Sequence, residues 1–349
     1  MNHVTLKEIA SQLHLSRITV SKVINDKPGV SLETKKKVLR KLAENGYEKL
    51  TQEQLQLAGD FQKDKVRCIA VITIAPDFSE FWMKIINTIS ASLAESGYDF
   101  IYSILAKNRE GKYVLPKIID PHHVSGIIVI NVYNDSIIDS LLSTEIPVVF
   151  LDTTPRMFQK SRGGDLLLLE GYNSIGQITE RMIGNGLKSF GFIGDITYSK
   201  TILDRWEGFN HALAVNKIPL MQKYCFTSSP KGHFYYADEI LDALDSLSSL
   251  PQAFVCANDY IAFMLIDALK KRGCHVPEDV AVSGYDNIRE KVMSDSQLTT
   301  VCVDTKILGQ RLVRQIMMRI DLPELPCETI YIQPKVLYRK STDKYTANS

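Results

Sequence analysis

The chain has 349 residues, 45% hydrophobic and 23% charged, a composition that excludes disordered and fibrous classes and leaves room for two or three globular domains. Its net charge of +1 conceals an uneven split: residues 1–50 carry ten Lys or Arg against five Asp or Glu, and the remainder carries 31 against 35. A basic head on an acidic body points to nucleic acid at one end only.

The predicted elements begin with a pair of short helices. Thr5 and Glu8 have the spacing of a capping box, and Ile9, Ala10 and Leu13 then share one helical face. His14 and Leu15 make the turn. Ser16 caps a second helix whose inward face is Val20, Val23 and Ile24. That leaves Arg17, Ile18, Thr19, Ser21, Lys22 and Asn25 pointing outward, a face suited to DNA: hydroxyls and amides bind phosphate, and Arg and Lys reach guanine edges. A Pro-Gly loop leads to a third helix, from Ser31 to Asn45, with Gly46 as its stop. Val38 and Leu42 face in; Lys35, Lys36, Lys37, Arg40 and Lys41 face out, toward a phosphate backbone. Tyr47 packs under this head. Residues 48–64 are polar and glutamine-rich around Leu55 and Leu57, a linker whose marginal helix orders on binding.

From Val66 the pattern becomes βαβ. Strands are expected at Ile69–Ile74, Tyr98–Leu105, Gly126–Ile130 and Val148–Asp152. Helices are expected at Phe81–Ser96, Lys112–Ile119 and Ile137–Leu142. The alternation then restarts. Strands fall at Leu166–Leu169, Ser189–Gly194, Tyr224–Phe226, Ala253–Ala257 and Val280–Gly284. Helices fall at Ser174–Asn185, Arg205–Asn216, Phe234–Ser246 and Tyr260–Arg272. Thr300–Val303, a helix over Thr305–Arg319 and the strand Thr329–Ile332 read as a return crossing. Two such sets predict two parallel-sheet lobes with a ligand cleft at the carboxyl ends of their strands, where Asp152, Asn258-Asp259 and Tyr285-Asp286 lie.

Several chemistries find no support. There is no phosphate-cradling P-loop, no Gly-x-Ser-x-Gly elbow and no dinucleotide glycine fingerprint, so neither an enzyme nor a cofactor is expected. Gly184-Asn-Gly186 follows a helix and reads as its C-cap. His122 and His123 are adjacent and poorly placed to share a metal. Six scattered cysteines read as reduced, buried small residues. No apolar run approaches a membrane span and no apolar leader opens the chain, so a cytoplasmic protein is expected. A solute-binding protein would share the body, but not the basic helical head.

The whole chain resembles the lactose-repressor (LacI/GalR) family of transcriptional regulators. The head carries the resemblance in Val4-Thr-Leu-Lys-Glu-Ile-Ala, Leu15-Ser-Arg-Ile-Thr-Val-Ser-Lys-Val-Ile-Asn, Val30-Ser and Gly46-Tyr47. The body adds Ile146-Pro-Val-Val-Phe-Leu-Asp, Ala257-Asn-Asp, Val282-Ser-Gly-Tyr-Asp and Leu298-Thr-Thr-Val. The resemblance implies a small all-α helix-turn-helix head on an α/β periplasmic-binding-protein-like body. Its domains would be a head at 1–49, a hinge at 50–65, one lobe at 66–164 and 301–325, a second at 165–300 and 326–340, and a frayed tail at 341–349. It implies a homodimeric repressor on a pseudo-palindromic operator, switched by a small ligand, a sugar or else a purine. Arg17, Ile18 and Lys22 would read bases. Thr5, Leu6, Ser16, Thr19, Ser21, Asn25, Ser31 and Thr34 would touch the DNA backbone. Leu57, with Leu55 second, would wedge into the minor groove, although Glu48-Lys49 replaces the family's Pro-Asn and the hinge runs one residue longer. Phe81, Trp82, Asp152, Arg205, Asn258, Asp286, Val303 and Thr305 would meet the effector, Val303 without a hydrogen bond.

Overall fold

A computed structural model of the chain describes residues 5–45, 47, 50–57, 67–74, 80–160, 163–229, 233–288 and 297–343. Its contacts divide into two units, Met1–Arg67 and Cys68–Ser349.

The first unit is built from α1 (Leu6–Gln12), α2 (Arg17–Ile24), α3 (Leu32–Glu44) and α4 (Gln52–Leu57). Local chemistry sets the helix starts. The Thr5 N–H donates to the Glu8 carboxylate at 2.7 Å and the Glu8 N–H returns to Thr5 Oγ1 at 3.4 Å. Ser16 Oγ accepts from the Thr19 N–H at 3.0 Å, and Ser31 Oγ from the Thr34 N–H at 3.2 Å. These bonds satisfy amides that a helix start leaves open. Ile9, Ala10, Val20, Val23, Val38, Leu39 and Leu42 form a small core, with Leu13, Ile24 and Tyr47 packed at its edge. The expected stop at Gly46, the departure at Glu48-Lys49 and the side chain of Leu55 lie outside the described residues.

The second unit opens with β1 (Cys68–Thr73), α5 (Glu80–Glu95), β2 (Asp99–Ile104), β3 (Gly126–Ile130), α6 (Asp135–Leu142), β4 (Val148–Leu151), α7 (Pro155–Gln159) and β5 (Asp165–Leu169). It continues through α8 (Tyr172–Gly184), β6 (Phe190–Ile193), α9 (Lys200–Val215), β7 (Cys225–Phe226), α10 (Ala237–Asp245), β8 (Ala253–Cys256), α11 (Asp259–Lys271) and β9 (Ala281–Ser283). β10 (Thr300–Cys302), α12 (Thr305–Asp321), β11 (Thr329–Ile332) and β12 (Lys335–Leu337) close the chain. One sheet has the order β11-β5-β4-β3-β1-β2 and the other β7-β6-β8-β9, every pairing in both being parallel. β10 and β12 form an antiparallel ribbon. The inner strands β1, β3, β4, β5, β6 and β8, and β9, are buried on both faces, which explains their runs of Ile, Val and Leu, while the edge strands β2, β7 and β11 are partly exposed.

Four expectations need correction. The lobe boundaries at 165 and 326 are misplaced. β5 pairs with β4 and β11, so the first lobe runs to Leu169 and regains α12 and β11. The short α7 makes β4-α7-β5 one βαβ unit, and a buried strand of four leucines needs a neighbour on each side. The pairing is locked by Asp165, which is wholly buried. Its carboxylate accepts from Arg319 NH2 at 2.6 Å, from Arg319 Nε at 3.2 Å, from Gln315 Nε2 at 2.9 Å and from the Glu328 N–H at 2.8 Å. Lys112–Ile119 is not a helix: Asn108 Oδ1 accepts from the Glu110 and Lys112 N–H groups, Lys107 bridges Tyr113, and Pro116 has no N–H to continue a helical ladder. The tail is anchored at its start. Ser341 and Thr342 are buried, and Ser341 Oγ donates to Val282 O and accepts from the Thr299 N–H. Finally, of the six cysteines, all free thiols, only Cys256 is buried; Cys327 is exposed in the approach to β11.

Candidate functional site

Two sites emerge, one in each unit. In the head, α2 and the loop after it shape a groove lined by Arg17, Ile18, Ser21, Lys22, Asn25 and Lys27. The three expected base readers therefore share one surface. Ile18 is 70% exposed, an apolar side chain that the fold leaves bare. Among the expected backbone contacts, Thr5, Ser16, Asn25 and Ser31 are exposed, while Leu6, Thr19, Ser21 and Thr34 are half-buried. Leu6 packs against the head core rather than standing free. Asn25 Nδ2 donates to Ser21 O at 2.8 Å, which fixes the amide at the edge of the groove. Lys27 was missed because the loop looked like a plain Pro-Gly turn. Its N–H donates to Lys22 O at 2.8 Å, which curls the loop back along α2. Lys35, expected to face a phosphate, is instead half-buried and paired with Asp26 at 2.7 Å. Leu57 is exposed at the end of α4.

In the body, a cavity of about 380 Å³ lies between the lobes at the strand ends. It falls within the range of small-ligand pockets. Phe81, Trp82, Asp152, Arg205, Asn258 and Asp286 line it, as the sequence implied. Val303 and Thr305 do not line it: Val303 is buried, and Thr305 begins α12, which packs on α5. The sequence reading also missed most of the aromatic wall. Tyr133, Tyr198, Tyr235, Tyr236 and Tyr260 all line the cavity, with Asn131, Ser199, Thr201 and Ile288. Tyr133 and Tyr198 lie tilted against each other with centroids 4.4 Å apart, and Phe81 meets Trp82 edge-on at 5.2 Å. Tyr133, Tyr198 and Tyr260 follow strands β3, β6 and β8 closely, a signal that the strand-end rule could have used.

The polar floor is largely tied together. Asp152 sits at φ 65° after β4, a left-handed conformation that turns its carboxylate toward the second lobe. It accepts from Thr201 Oγ1 at 2.5 Å, from the Thr201 N–H at 3.3 Å, from the Thr153 N–H at 2.8 Å and from Tyr133 OH at 3.3 Å. Burial pushes its pKa up, and the bonds from Thr201 and Thr153 pull against that. Asn258 caps α11 by accepting from the Ile261 N–H at 2.9 Å and donates to Tyr235 OH at 3.1 Å. Arg205, on α9, lays its guanidinium 3.5 Å over the Tyr285 ring and donates from NH1 to Ala257 O at 2.5 Å. Its Nε is buried with no partner among the described residues. Asp259, beneath the floor, accepts from Thr300 Oγ1 at 2.6 Å, and burial followed by the nearby Asp286 charge raises its pKa well above the usual range.

This arrangement can bind and orient a ligand through rings, carboxylates, amides and one guanidinium. The described residues hold no group of three or more metal-type ligands. Two carboxylates against one guanidinium make the lining acidic, which favours a neutral ligand rich in donors over an anion.

Comparisons with known proteins complete the description. The model of the bacterial regulatory proteins, lacI family, matches residues 5–49, and that of the periplasmic binding protein-like domain matches residues 179–342. The HTH-type transcriptional repressor PurR of Mannheimia succiniciproducens is 26% identical over 97% of this chain and 99% of its own length. The ribose operon repressor of Haemophilus influenzae is 24% identical over 97% and 98%. A lac repressor dimer bound to operator and the anti-inducer ONPF superposes with a TM-score of 0.65 at 21% identity, over 97% of this chain and 99% of that one.

Proposed function

Because the chain belongs to the lacI family of bacterial regulatory proteins, we propose that it is a cytoplasmic homodimeric repressor whose operator affinity is switched by a neutral sugar bound between the lobes. One observation carries the choice of ligand: the cleft combines a wall of aromatic rings with acceptor carboxylates and a single guanidinium. Sugars offer C–H faces to aromatic rings and vicinal hydroxyls to carboxylates, and they bring no charge that the acidic lining would repel. The ribose operon repressor among the relatives supports a sugar as well. Two heads would place the Arg17–Lys22 face of each α2 in successive major grooves of a pseudo-palindrome. The ligand shifts the switch only to the extent that it binds two lobe arrangements unequally.

The test is thermal shift of the full chain against three groups: neutral sugars, sugar phosphates and nucleobases. Stabilisation by a neutral sugar, lost in Arg205→Ala, supports the reading. Stabilisation confined to nucleobases would replace it with a purine reading, which the aromatic wall of Tyr133 and Tyr198 also accommodates. Selection of bound DNA by the wild type, Arg17→Ala and Lys22→Ala then tests base reading; unchanged preference in both variants would sink it.

A further inference from the structure

Tyr198 stands on the loop between β6 and α9, in the second lobe, and has a ring against each of its faces. Tyr133, which follows β3 in the first lobe, lies with its centroid 4.4 Å away, and the His233 imidazole stacks at 4.2 Å with 28° between the planes. One face cannot seat two rings at that range, so Tyr133 and His233 sandwich Tyr198 from opposite sides. His233 is itself held from behind. Its Nδ1 shares a 2.7 Å hydrogen bond with one carboxylate oxygen of the buried Asp195. The other oxygen accepts from the Thr197 N–H at 2.9 Å and from Thr197 Oγ1 at 2.6 Å, and the Asp195 carbonyl accepts from the Tyr198 N–H at 3.2 Å. Asp195 thus fixes both the loop that carries Tyr198 and the imidazole behind its ring. The chain bends to allow this: His233 and Phe234 have φ of 61° and 66°, a left-handed pair that bulky residues adopt at a cost.

We propose that His233, anchored by Asp195, is a positioning residue that presses Tyr198 onto Tyr133 and so latches the two lobes together through contacts of the chain alone. The strength of the latch sets the share of ligand-free molecules whose lobes stand open. A ligand's apparent affinity scales with the share of molecules in the arrangement it binds, so residues outside the cavity lining tune the response. That consequence rests on the reading of the cleft as the effector site; the latch itself does not.

The start of α9 reports on the latch without any ligand. The Lys200 N–H donates across the lobes to Thr153 O at 2.7 Å, and the Thr201 N–H to Asp152 Oδ1 at 3.3 Å. The Ile202 N–H donates to Ser199 Oγ at 3.2 Å, within its own lobe. Amides at a helix start have no intrahelical partner, so the first two lose protection when the lobes part and the third does not. The experiment is residue-resolved amide exchange of the full, ligand-free protein. His233→Gln keeps a donor for Asp195 and removes the ring. Tyr133→Leu removes the ring on the other lobe, and Tyr133→Phe removes only the hydroxyl, which donates to Asp152 at 3.3 Å. His233→Gln and Tyr133→Leu are expected to speed exchange at Lys200 and Thr201 about two- to tenfold, the range one aromatic pair spans, with Ile202 unchanged. Tyr133→Phe should match the wild type. The double variant of His233→Gln with Tyr133→Leu should exchange no faster than Tyr133→Leu, because the imidazole acts through that contact. Wild-type exchange in His233→Gln or in Tyr133→Leu would overturn the latch. Equal acceleration at all three amides in His233→Gln would reduce His233 to a support of its own loop, and Tyr133→Phe as fast as Tyr133→Leu would assign the effect to the hydroxyl; either result overturns the latch as well.

Discussion

Arg319→Ala is expected to be the most damaging single change in the body. Arg319 holds Asp165 with two nitrogens and also donates to the carbonyls of Leu325 and Pro326, so one guanidinium joins α12, the start of β5 and the approach to β11. Its removal leaves a wholly buried carboxylate with only Gln315 and the Glu328 N–H. Breaking such a pair from one side costs about 3–5 kcal/mol, because the remaining charge keeps its desolvation penalty and loses its compensation. For a unit above 200 residues, at about 2 °C per kcal/mol, melting should fall by about 6–10 °C. Differential scanning fluorimetry and urea titration of the same samples measure it. Arg319→Lys should recover only part, since an ammonium cannot match both carboxylate oxygens as a fork does. The double change Asp165→Asn with Arg319→Met should recover more than half, because it removes both charges. A drop below about 2 °C for Arg319→Ala, or a double variant no better than the single one, would refute the idea that this pair locks the returning segment to its sheet.

Other expectations follow from the same geometry. Burial raises the pKa of Asp152, so the folded protein holds that proton to higher pH than the unfolded chain does; its contribution to stability is complete below the ordinary carboxylate range and is lost as pH rises through the raised value. Melting of the wild type should therefore decline relative to Asp152→Asn between acidic and neutral pH, and a constant difference would exclude the effect. Lys27→Ala should lower the slope of log affinity against log salt by about 0.9, the share of one phosphate contact, without altering base preference; an unchanged slope removes Lys27 from the interface. Gly208→Ala should sharply reduce the yield of folded protein, measured as soluble monomer or dimer, because a methyl there would collide with the Tyr172 backbone where α8 and α9 cross. Normal yield would mean that the two helices separate easily.

The head was legible almost residue by residue, because capping and 3.6-residue periodicity are local: Thr5, Ser16 and Ser31 make the caps their sequence promised. The body was legible as alternation but not as connectivity. Nothing local distinguishes a β5 that ends one sheet from a strand that begins the next, and the five-residue α7 that settles it is too short to leave a periodic trace. The cleft was half legible. Asp152, Asn258 and Asp286 stand at strand ends where polar residues draw notice. The tyrosines, amphipathic and scattered in loops, resemble ordinary surface residues until the fold gathers them. Val303 and Thr305 failed for a related reason: a carried-over position says nothing about which way a local turn aims its side chain.

The chain crosses between its lobes three times, after β5, between β10 and α12, and between β11 and β12. Two of those straps are not independent, for β10 and β12 are hydrogen-bonded to each other from Thr300–Leu337 to Cys302–Lys335. A paired ribbon resists sliding and stretching far more than it resists rotation about its own axis. The linkage therefore removes most ways in which two bodies could move apart and leaves a swing and a twist. Neither lobe is a contiguous stretch of gene. A stop codon placed anywhere between the ends of α12 and β11 takes an edge strand from one lobe and the Ser341 anchor from the other, so late truncations should fail as whole bodies rather than lose a tail.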